Sequence, residues 1–278
     1  PRATQILVEA VDLARNVGDR GMFNWLAGTA AAALYEEGRD WDAHAAVMAQ
    51  ALEAATLRAD RQRLTSLASL VEFARGERLD ENLSRVTELV GENTDVADLF
   101  ALYMVRSHHG LVSGDLDTAY RSAMDVYDLH SQNPEVPTDA ALHPAIWSRD
   151  LDRTRAVAKV AHDLRTTGPL TRTIVDHADA AVAALEGRTA EAVTGFRAAR
   201  TTLLRFEQAF TAARYAVDAA VLLPDHPEVR AWADDARLVL EGLRARPYLE
   251  KLDEALAAPP SADRSSSVEA RFEAPTGG

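Results

Sequence analysis

The chain has 278 residues, a formal net charge of −13 at pH 7 and no cysteine. Its hydrophobic fraction of 47% is enough for the core of one large or two small domains. The negative charge repels a phosphate backbone, so no nucleic-acid partner is expected. The missing cysteines exclude disulfides, thiol nucleophiles, iron–sulfur clusters and thiolate zinc sites.

The first residues already follow a helical pattern, because apolar side chains such as Ile6, Val11 and Leu13 precede any capping or loop signal. With no initiator methionine, we expect the chain to be part of a longer polypeptide, although removal of a leader or tag would look the same. The start lacks the pattern of a signal peptide, and no apolar run approaches the roughly 20 residues of a membrane span. A cytoplasmic protein is therefore expected.

The remainder of the chain also indicates helices. Apolar residues recur three and four positions apart, as at Leu79, Leu83, Val86 and Val90. No segment alternates apolar and polar residues as a half-buried strand would. Turn residues leave space for helices of about 12 to 18 residues, so the predicted class is all-α.

Turns recur along the chain at a nearly constant interval. They lie at Gly38, Gly76, Gly114 and Gly187, with degenerate copies at 148–152 and 223–227. The glycines are separated by 38, 38 and 73 residues, the last being close to two intervals. Each glycine is expected to close a helix in the left-handed conformation, so that the next helix packs back antiparallel. The period predicts about six helix pairs.

The turn at Gly187 is followed by Ala192, Phe196 and Ala199. This spacing resembles the second half of a tetratricopeptide repeat. The Trp-x-x-Leu-Gly pattern of the first half is absent, and the period exceeds the usual length of about 34 residues. The resemblance implies a divergent tetratricopeptide-like α-solenoid, a right-handed superhelix whose antiparallel helix pairs share one continuous core.

Three further segments resemble a narrower group of proteins. The segment 10–19 (AVDLARNVGD) is similar to repeat ends in large bacterial signalling ATPases, and 219–224 and 236–252 resemble the closing segment of adenylate/guanylate cyclase proteins. Those proteins carry a class III cyclase domain, an AAA-type ATPase domain and a long C-terminal helical region. ATP-dependent transcriptional regulators end their sensor repeats similarly. The resemblance is specific only after residue 219, and Arg244 stands where the family has glycine.

Motifs for catalysis or metal binding are missing from the sequence. It contains no Walker-type phosphate loop, no G-x-S-x-G elbow and no H-x-x-x-H spacing. His108 and His109 are adjacent and diverge by about 100° on a helix, so they cannot easily share a metal. In the segment 176–179, Asp176 has Arg172 four residues before it as a plain surface ion-pair partner. We interpret the histidines as solvated or helix-end residues and expect no catalytic residue, metal or cofactor.

The first helix of each pair in such a solenoid usually lines the concave face. Arg106 and His109 on the third such helix, and Arg172 and Asp176 on the fifth, are therefore candidate contacts for a partner, or ordinary exposed charges. The four tryptophans are expected to be core wedges near the repeat junctions.

The repeat array is assigned to 1–257. Three prolines between 131 and 147 predict a short helix and a kink there, and the Pro-, Ser- and Gly-rich segment 258–278 is predicted to be a disordered tail.

The resemblances imply a regulatory or sensor module without catalysis of its own. We expect it to bind a protein or effector in its concave groove, as the C-terminal part of a cytoplasmic signalling protein with cyclase and ATPase domains upstream. The alternatives are a stand-alone scaffold for protein–protein interaction and the sensor region of an ATP-dependent transcriptional regulator. An enzyme hidden in the helical array is disfavoured, because the sequence has no D-D-x-x-D segment and no nucleophile motif.

Overall fold

The computed structural model describes residues 2–91, 95–129, 134–165 and 168–257. Within these ranges the chain forms fourteen α-helices and no strand, which confirms the predicted all-α class. The helices are α1 (Arg2–Val17), α2 (Arg20–Glu37), α3 (Trp41–Ala54), α4 (Arg58–Arg75), α5 (Leu79–Val90), α6 (Val96–Ser113), α7 (Leu116–Asp128), α8 (Glu135–Trp147), α9 (Leu151–His162), α10 (Pro169–Leu185), α11 (Thr189–Arg205), α12 (Ala209–Leu222), α13 (Pro227–Leu243) and α14 (Arg246–Ala257). The predicted tail, 258–278, lies outside the described residues.

Consecutive helices pack on each other along the chain. The even-numbered helices from α2 to α12 also contact one another in succession, and we call them the inner helices. The odd-numbered helices from α3 to α13, the outer helices, each follow one inner helix and pack back on it. None of the described helices contains a stretch long and apolar enough to cross a membrane.

The four predicted glycine turns adopt the expected conformation. Gly38, Gly76, Gly114 and Gly187 have φ angles between 66° and 85°, which confirms the left-handed geometry at the end of each helix. Arg149 takes the same role in the degenerate turn after α8, with φ of 53°. The turn at 223–227 differs, because Leu223 precedes Pro224 and has a φ of −132° in place of a left-handed angle.

Helix α8 is shorter than its counterparts earlier in the chain. It has 13 residues, whereas α2, α4 and α6 have 18 each. Pro134 precedes its first residue, and Pro137 and Pro144 lie within it. The shortening agrees with the proline pattern, while part of the expected kink region, 131–133, lies outside the described residues.

Three of the four tryptophans are buried as expected. Trp41, Trp147 and Trp232 are at most 8% exposed. The expectation is wrong for Trp25, whose side chain is 55% exposed on α2. No inner helix precedes α2 in the described chain to cover this position.

The two ends of the array meet. Helix α12 contacts α2 as well as α8 and α10, and α14 contacts α4 and α6. The ring of Phe210 lies 5.0 Å from Tyr35, 4.9 Å from Trp41 and 5.4 Å from Tyr248, measured between centroids. Helices far apart in sequence therefore share one aromatic core.

Polar contacts at the surface also join the two ends of the array. Asp42 accepts a hydrogen bond from Arg244 at 2.6 Å and forms an ion pair with Arg75 at 2.8 Å. Arg246 donates to the carbonyl oxygen of Gly76 at 2.9 Å. We call the contacts of α12 and α14 with α2 and α4, together with the start of α3, the seam.

The close packing of α6 on α7 gives a testable difference between two helical glycines. A Cβ atom on Gly110 would lie 2.8 Å from the backbone nitrogen of Ala119, whereas one on Gly242 would meet nothing within 4 Å. We expect Gly110→Ala to lower the free energy of unfolding by about 1–3 kcal/mol through overpacking. The matched Gly242→Ala is expected to be neutral or to stabilise by up to about 1 kcal/mol. Urea unfolding measures both, and equal effects would contradict the close approach.

A buried charged cluster as the candidate functional site

The middle of α12 carries two charged residues, although this stretch of the helix is buried on all sides. Every residue from Phe210 to Leu222 is buried, including Arg214 and Asp218. The two charged side chains lie one helical turn apart and therefore share a face of the helix. Because a buried charge without partners is strongly unfavourable, neighbouring helices have to supply them.

Asp218 is the centre of this cluster, and it is completely buried. Its Oδ2 atom accepts hydrogen bonds from Nδ1 of His143 at 2.7 Å and from Nε2 of His177 at 2.8 Å. Its Oδ1 atom accepts one from Nε1 of Trp147 at 2.7 Å. The carboxylate thus joins α12 to both α8 and α10 through three donors.

Arg214 holds a second carboxylate. Its Nη2 atom donates to Oδ2 of Asp139 at 2.9 Å and also contacts Nε2 of His143. The hydroxyl of Tyr215 donates to the other Asp139 oxygen at 2.7 Å. Across the seam, Nη1 of Arg214 lies 3.8 Å from Glu36 on α2, which makes the cluster continuous with the first helix pair.

The pKa values of the two imidazoles that share Asp218 are shifted in opposite directions. Burial alone would lower the pKa of His143, but the Asp218 carboxylate outweighs it and raises that pKa above its ordinary value. Burial lowers the pKa of His177, in spite of its hydrogen bond to the same oxygen. A neutral His177 that donates through Nε2 leaves Nδ1 unprotonated, and this buried atom has no partner among the described residues. Its ring stacks on Tyr215 with the centroids 3.6 Å apart.

The carboxylates respond to the same neighbours. Burial would raise the pKa of Asp218, but His143 and His177 outweigh it and lower the value to about 2. Burial also acts to raise the pKa of Asp139, and the guanidinium of Arg214 with the His143 hydrogen bond holds it far below the ordinary value. Both carboxylates therefore remain charged at neutral pH in the core.

The interpretation of the histidines as solvated or helix-end residues is wrong for the pair His143 and His177, which are at most 1% exposed. It is also wrong for His44, which is 4% exposed and has a pKa lowered to about 4 by burial. The physical reason for the first two is the buried carboxylate, which gives each imidazole a partner inside the core.

One sequence signal points to this cluster. Asp139, His143 and Trp147 follow each other at intervals of four residues, as do Arg214 and Asp218. Such spacing places each set on one helix face. The two faces meet only because helices about 75 residues apart in sequence pack on each other. Helical periodicity does not predict such long-range packing.

The predicted partner contacts on α6 lie away from the cluster. His109 bonds to Asp80 on the outer helix α5 at 2.9 Å, and Arg106 lies over the ring of Tyr103. Burial lowers the pKa of the neighbouring His108 to about 4. The charges of Arg214 and the cluster also act on this imidazole. Adjacent helical residues differ by about 100° in direction, so His108 and His109 lie on different sides of α6.

The predicted contacts on α10 show the same arrangement. Arg172 and Asp176 form an ion pair at 2.8 Å, as the spacing predicted, and the Arg172 side chain is 70% exposed. The backbone oxygen of Asp176 approaches Gly195 on the outer helix α11. His177, next in sequence, is the residue that points to Asp218. The structure does not bring the α6 and α10 candidates together, because α8 lies between these helices.

Two of the clefts at the surface of the described chain have charged or aromatic residues in their walls. One, of about 470 Å³, lies between α1, α2 and α3, with the buried His44 in its wall. The other, of about 370 Å³, lies between the α6–α7 turn, Trp147 and α14. Neither contains a residue of the Asp218 and Arg214 pair. Among the described residues, no group of three or more histidines and carboxylates is arranged to hold a metal ion.

No protein-family model matches the chain, and a search of the curated proteins finds no match.

Removal of the central charge tests how much stability the cluster contributes. We expect Asp218→Asn to lower the free energy of unfolding by about 3–5 kcal/mol, because the buried donors of His143, Trp147 and His177 then lose the carboxylate that accepts from all three. Asp235→Asn is the matched control, since Asp235 is 66% exposed and pairs with Arg200 at the surface. It should cost about 1 kcal/mol or less in urea unfolding. A small effect of Asp218→Asn would contradict the central role of this carboxylate.

The pH dependence of stability provides a separate prediction. The pKa of Asp218 falls from 3.8 to about 2 on folding, so its contribution is complete above the unfolded value and is lost as the pH falls towards 2. The free energy of unfolding of the wild type should therefore decrease steeply below about pH 4. In Asp218→Asn this decrease should be shallower. Urea titrations across the acid range measure the two slopes, and identical slopes would show that Asp218 titrates normally in the folded chain.

Proposed function

We propose that the chain is a non-catalytic regulatory module that binds a protein or effector and controls a signalling domain in the same polypeptide. Its architecture in this proposal is a divergent tetratricopeptide-like solenoid, a right-handed superhelix of six pairs from α2–α3 to α12–α13. Helix α1 precedes these pairs, and α14 caps them. A cyclase and an ATPase domain upstream, in a cytoplasmic protein, are the linked activities that the sequence resemblance implies.

The observation that carries this proposal is the use that the fold makes of its ionisable side chains. Asp139, His143, His177, Arg214 and Asp218 are brought together from three helices and bond to one another, and all of them are buried except Asp139, which is partly buried. A catalytic group has to reach its substrate, whereas these groups hold helices in place. Recognition then falls to the exposed sides of the helices.

The seam supplies the element through which binding can be transmitted. Contacts such as that between Arg244 and Asp42 join residues 202 positions apart and link the first and last helix pairs. A partner that binds one arrangement of the seam more tightly than another shifts the population towards it. A domain attached to either end then experiences that change, which is the requirement for coupling between two sites.

The candidate recognition surface comprises two separate positions, Arg106 on α6 and Arg172 on α10. Arg172 is exposed on α10, and Arg106 is partly exposed on α6. Charge reversal at these positions leaves the buried cluster intact, because neither side chain has a contact with it. The positive charges of Arg106 and Arg172 would suit an acidic segment of a partner.

Affinity capture tests the proposal. The immobilised wild-type chain, the double variant Arg106→Glu/Arg172→Glu and the control Arg205→Glu/Arg230→Glu are incubated with extract of the source cells. The two double variants change the net charge equally, and the control arginines lie on α11 and α13. We expect a partner that binds the wild type and the control alike, and binds the first variant at least about tenfold more weakly in a reconstituted titration.

Capture that does not depend on Arg106 and Arg172 would contradict this surface. Retention of no protein or effector would contradict the binding module itself. The reading frame upstream of the codon for Pro1 tests the linked domain: a cyclase followed by a Walker-type ATPase is expected, and its absence would leave a stand-alone scaffold.

A further inference from the structure

The cleft between α1, α2 and α3 has mostly apolar walls. Its volume of about 470 Å³ lies within the range of small-molecule sites in proteins. Apolar side chains from all three helices line it: Val8, Val11, Ala27, Ala30, Leu34 and Val47. Such walls favour a molecule with an apolar body, and the few polar groups among them then determine which molecule binds.

One polar side chain in this wall lacks a hydrogen-bond partner. His44 is 4% exposed, and its Nε2 atom is buried without a partner among the described residues. Burial lowers the pKa of the imidazole to about 4, so the ring is uncharged at neutral pH. A buried polar atom without a hydrogen bond is unfavourable. A bound molecule that supplies this hydrogen bond therefore gains affinity.

The next helix pair shows how such a residue is satisfied within the chain. Asn82 on α5 lies 38 residues after His44, one period later, and is 1% exposed. Its side-chain amide donates a hydrogen bond to the carboxylate of Glu72 on α4. Arg78 forms an ion pair with the same carboxylate. The buried polar residue of this pair thus has a partner from its own chain.

The first helix pair has different residues at the two partner positions. Leu34 stands one period before Glu72 and lines the cleft, but it has no polar atom to offer His44. Asp40 stands one period before Arg78 and is mainly exposed. The first pair therefore has the buried polar residue and an open cleft beside it, without the polar contacts that occupy the equivalent place in the second pair.

The chemistry of the walls restricts the ligand. At Nε2 a neutral imidazole donates in one tautomer and accepts in the other, and a hydroxyl group can serve both. An anion is disfavoured, because Asp12 and Asp40 line the cleft and Arg39 already forms an ion pair with Glu37 at 3.1 Å.

We propose that this cleft binds a small, uncharged, apolar molecule that carries a hydroxyl group, a phenol or an alcohol. Its apolar body occupies the space between α1, α2 and α3, and its hydroxyl group forms the hydrogen bond that His44 lacks. The site lies apart from Arg106 and Arg172, which are on α6 and α10, and does not depend on the function proposed for them.

Titration of the full chain with 4-methylphenol, followed in ¹H–¹⁵N correlation spectra, tests the site. We expect saturable shifts that are largest in α1, α2 and α3, with a dissociation constant of about 1 mM or lower. The matched anion 4-methylbenzoate should bind at least about tenfold more weakly, because it meets the carboxylates of Asp12 and Asp40.

The variant His44→Leu tests the hydrogen bond. It should weaken binding of 4-methylphenol at least about fivefold, because the hydroxyl group then enters the cleft without a partner. Toluene is the matched ligand without a hydroxyl group, and its affinity should be unchanged or increased in His44→Leu. The variant should remain folded, since leucine replaces a buried side chain that has an unsatisfied nitrogen.

A substitution at the surface tests the location without changing His44. Ala43 is exposed on α3 and lines the cleft, so the indole ring of Ala43→Trp should fill part of its volume. We expect this variant to bind 4-methylphenol at least about tenfold more weakly. Ala46→Trp is the control, because Ala46 is an exposed alanine on the same helix and does not line the cleft. It should bind as the wild type does.

Absence of saturable binding of 4-methylphenol up to about 10 mM would overturn the proposal. Equal binding by Ala43→Trp and Ala46→Trp would exclude this cleft as the site. An equal loss of 4-methylphenol and toluene in His44→Leu would exclude the hydrogen bond, and equal affinity for 4-methylbenzoate would exclude an uncharged ligand class.

Discussion

A carboxylate enclosed in the core fixes the arrangement of the helices around it. Asp218 cannot be transferred from water into an apolar interior unless donors replace its hydration. Its donors are His143, Trp147 and His177, and they come from α8 and α10, so these two helices have to meet α12 at one particular height and rotation. Arg214 extends the constraint through Asp139 and towards Glu36 on α2. The charged set thus extends from α8 and α10 to the first helix pair.

The sequence predicts the local part of this structure well. Gly38 and its three counterparts mark helix ends because left-handed φ angles are inexpensive only for glycine, and that rule acts within one turn. The helical period predicts the all-α class for the same reason. The seam is not a local feature, because Phe210 contacts Tyr35 across 175 positions. Whether these residues meet depends on the curvature that accumulates over several helix pairs. Small changes of angle per pair are not encoded in any single turn.

The candidate site shows that helical periodicity does not predict which of two adjacent residues faces the core. His108 and His109 are equally polar and adjacent, yet the first faces the charged cluster and the second bonds to Asp80 on α5. The same shift by one residue separates Asp176 from His177. Helices α6 and α10 have buried residues on all sides. Their sequences therefore show little difference in polarity between one side of the helix and another. The direction towards the centre is then set by the tertiary contacts rather than by the pattern of polarity.

The charged cluster also compensates for a weakness of the apolar core. The inner helices are rich in alanine, and alanine surfaces pack almost equally well after a shift along the helix or a small rotation. Such a shift costs little where Ala180 or Ala216 packs, but it would separate Asp218 from His143 and His177 and leave a charge buried alone. The buried charged residues therefore raise the free energy of incorrect helix registers strongly. They lower the free energy of the correct register much less, when compared with an apolar replacement. In this molecule the polar interior selects one arrangement of the helices, and the alanines allow them to approach closely enough for that arrangement to form.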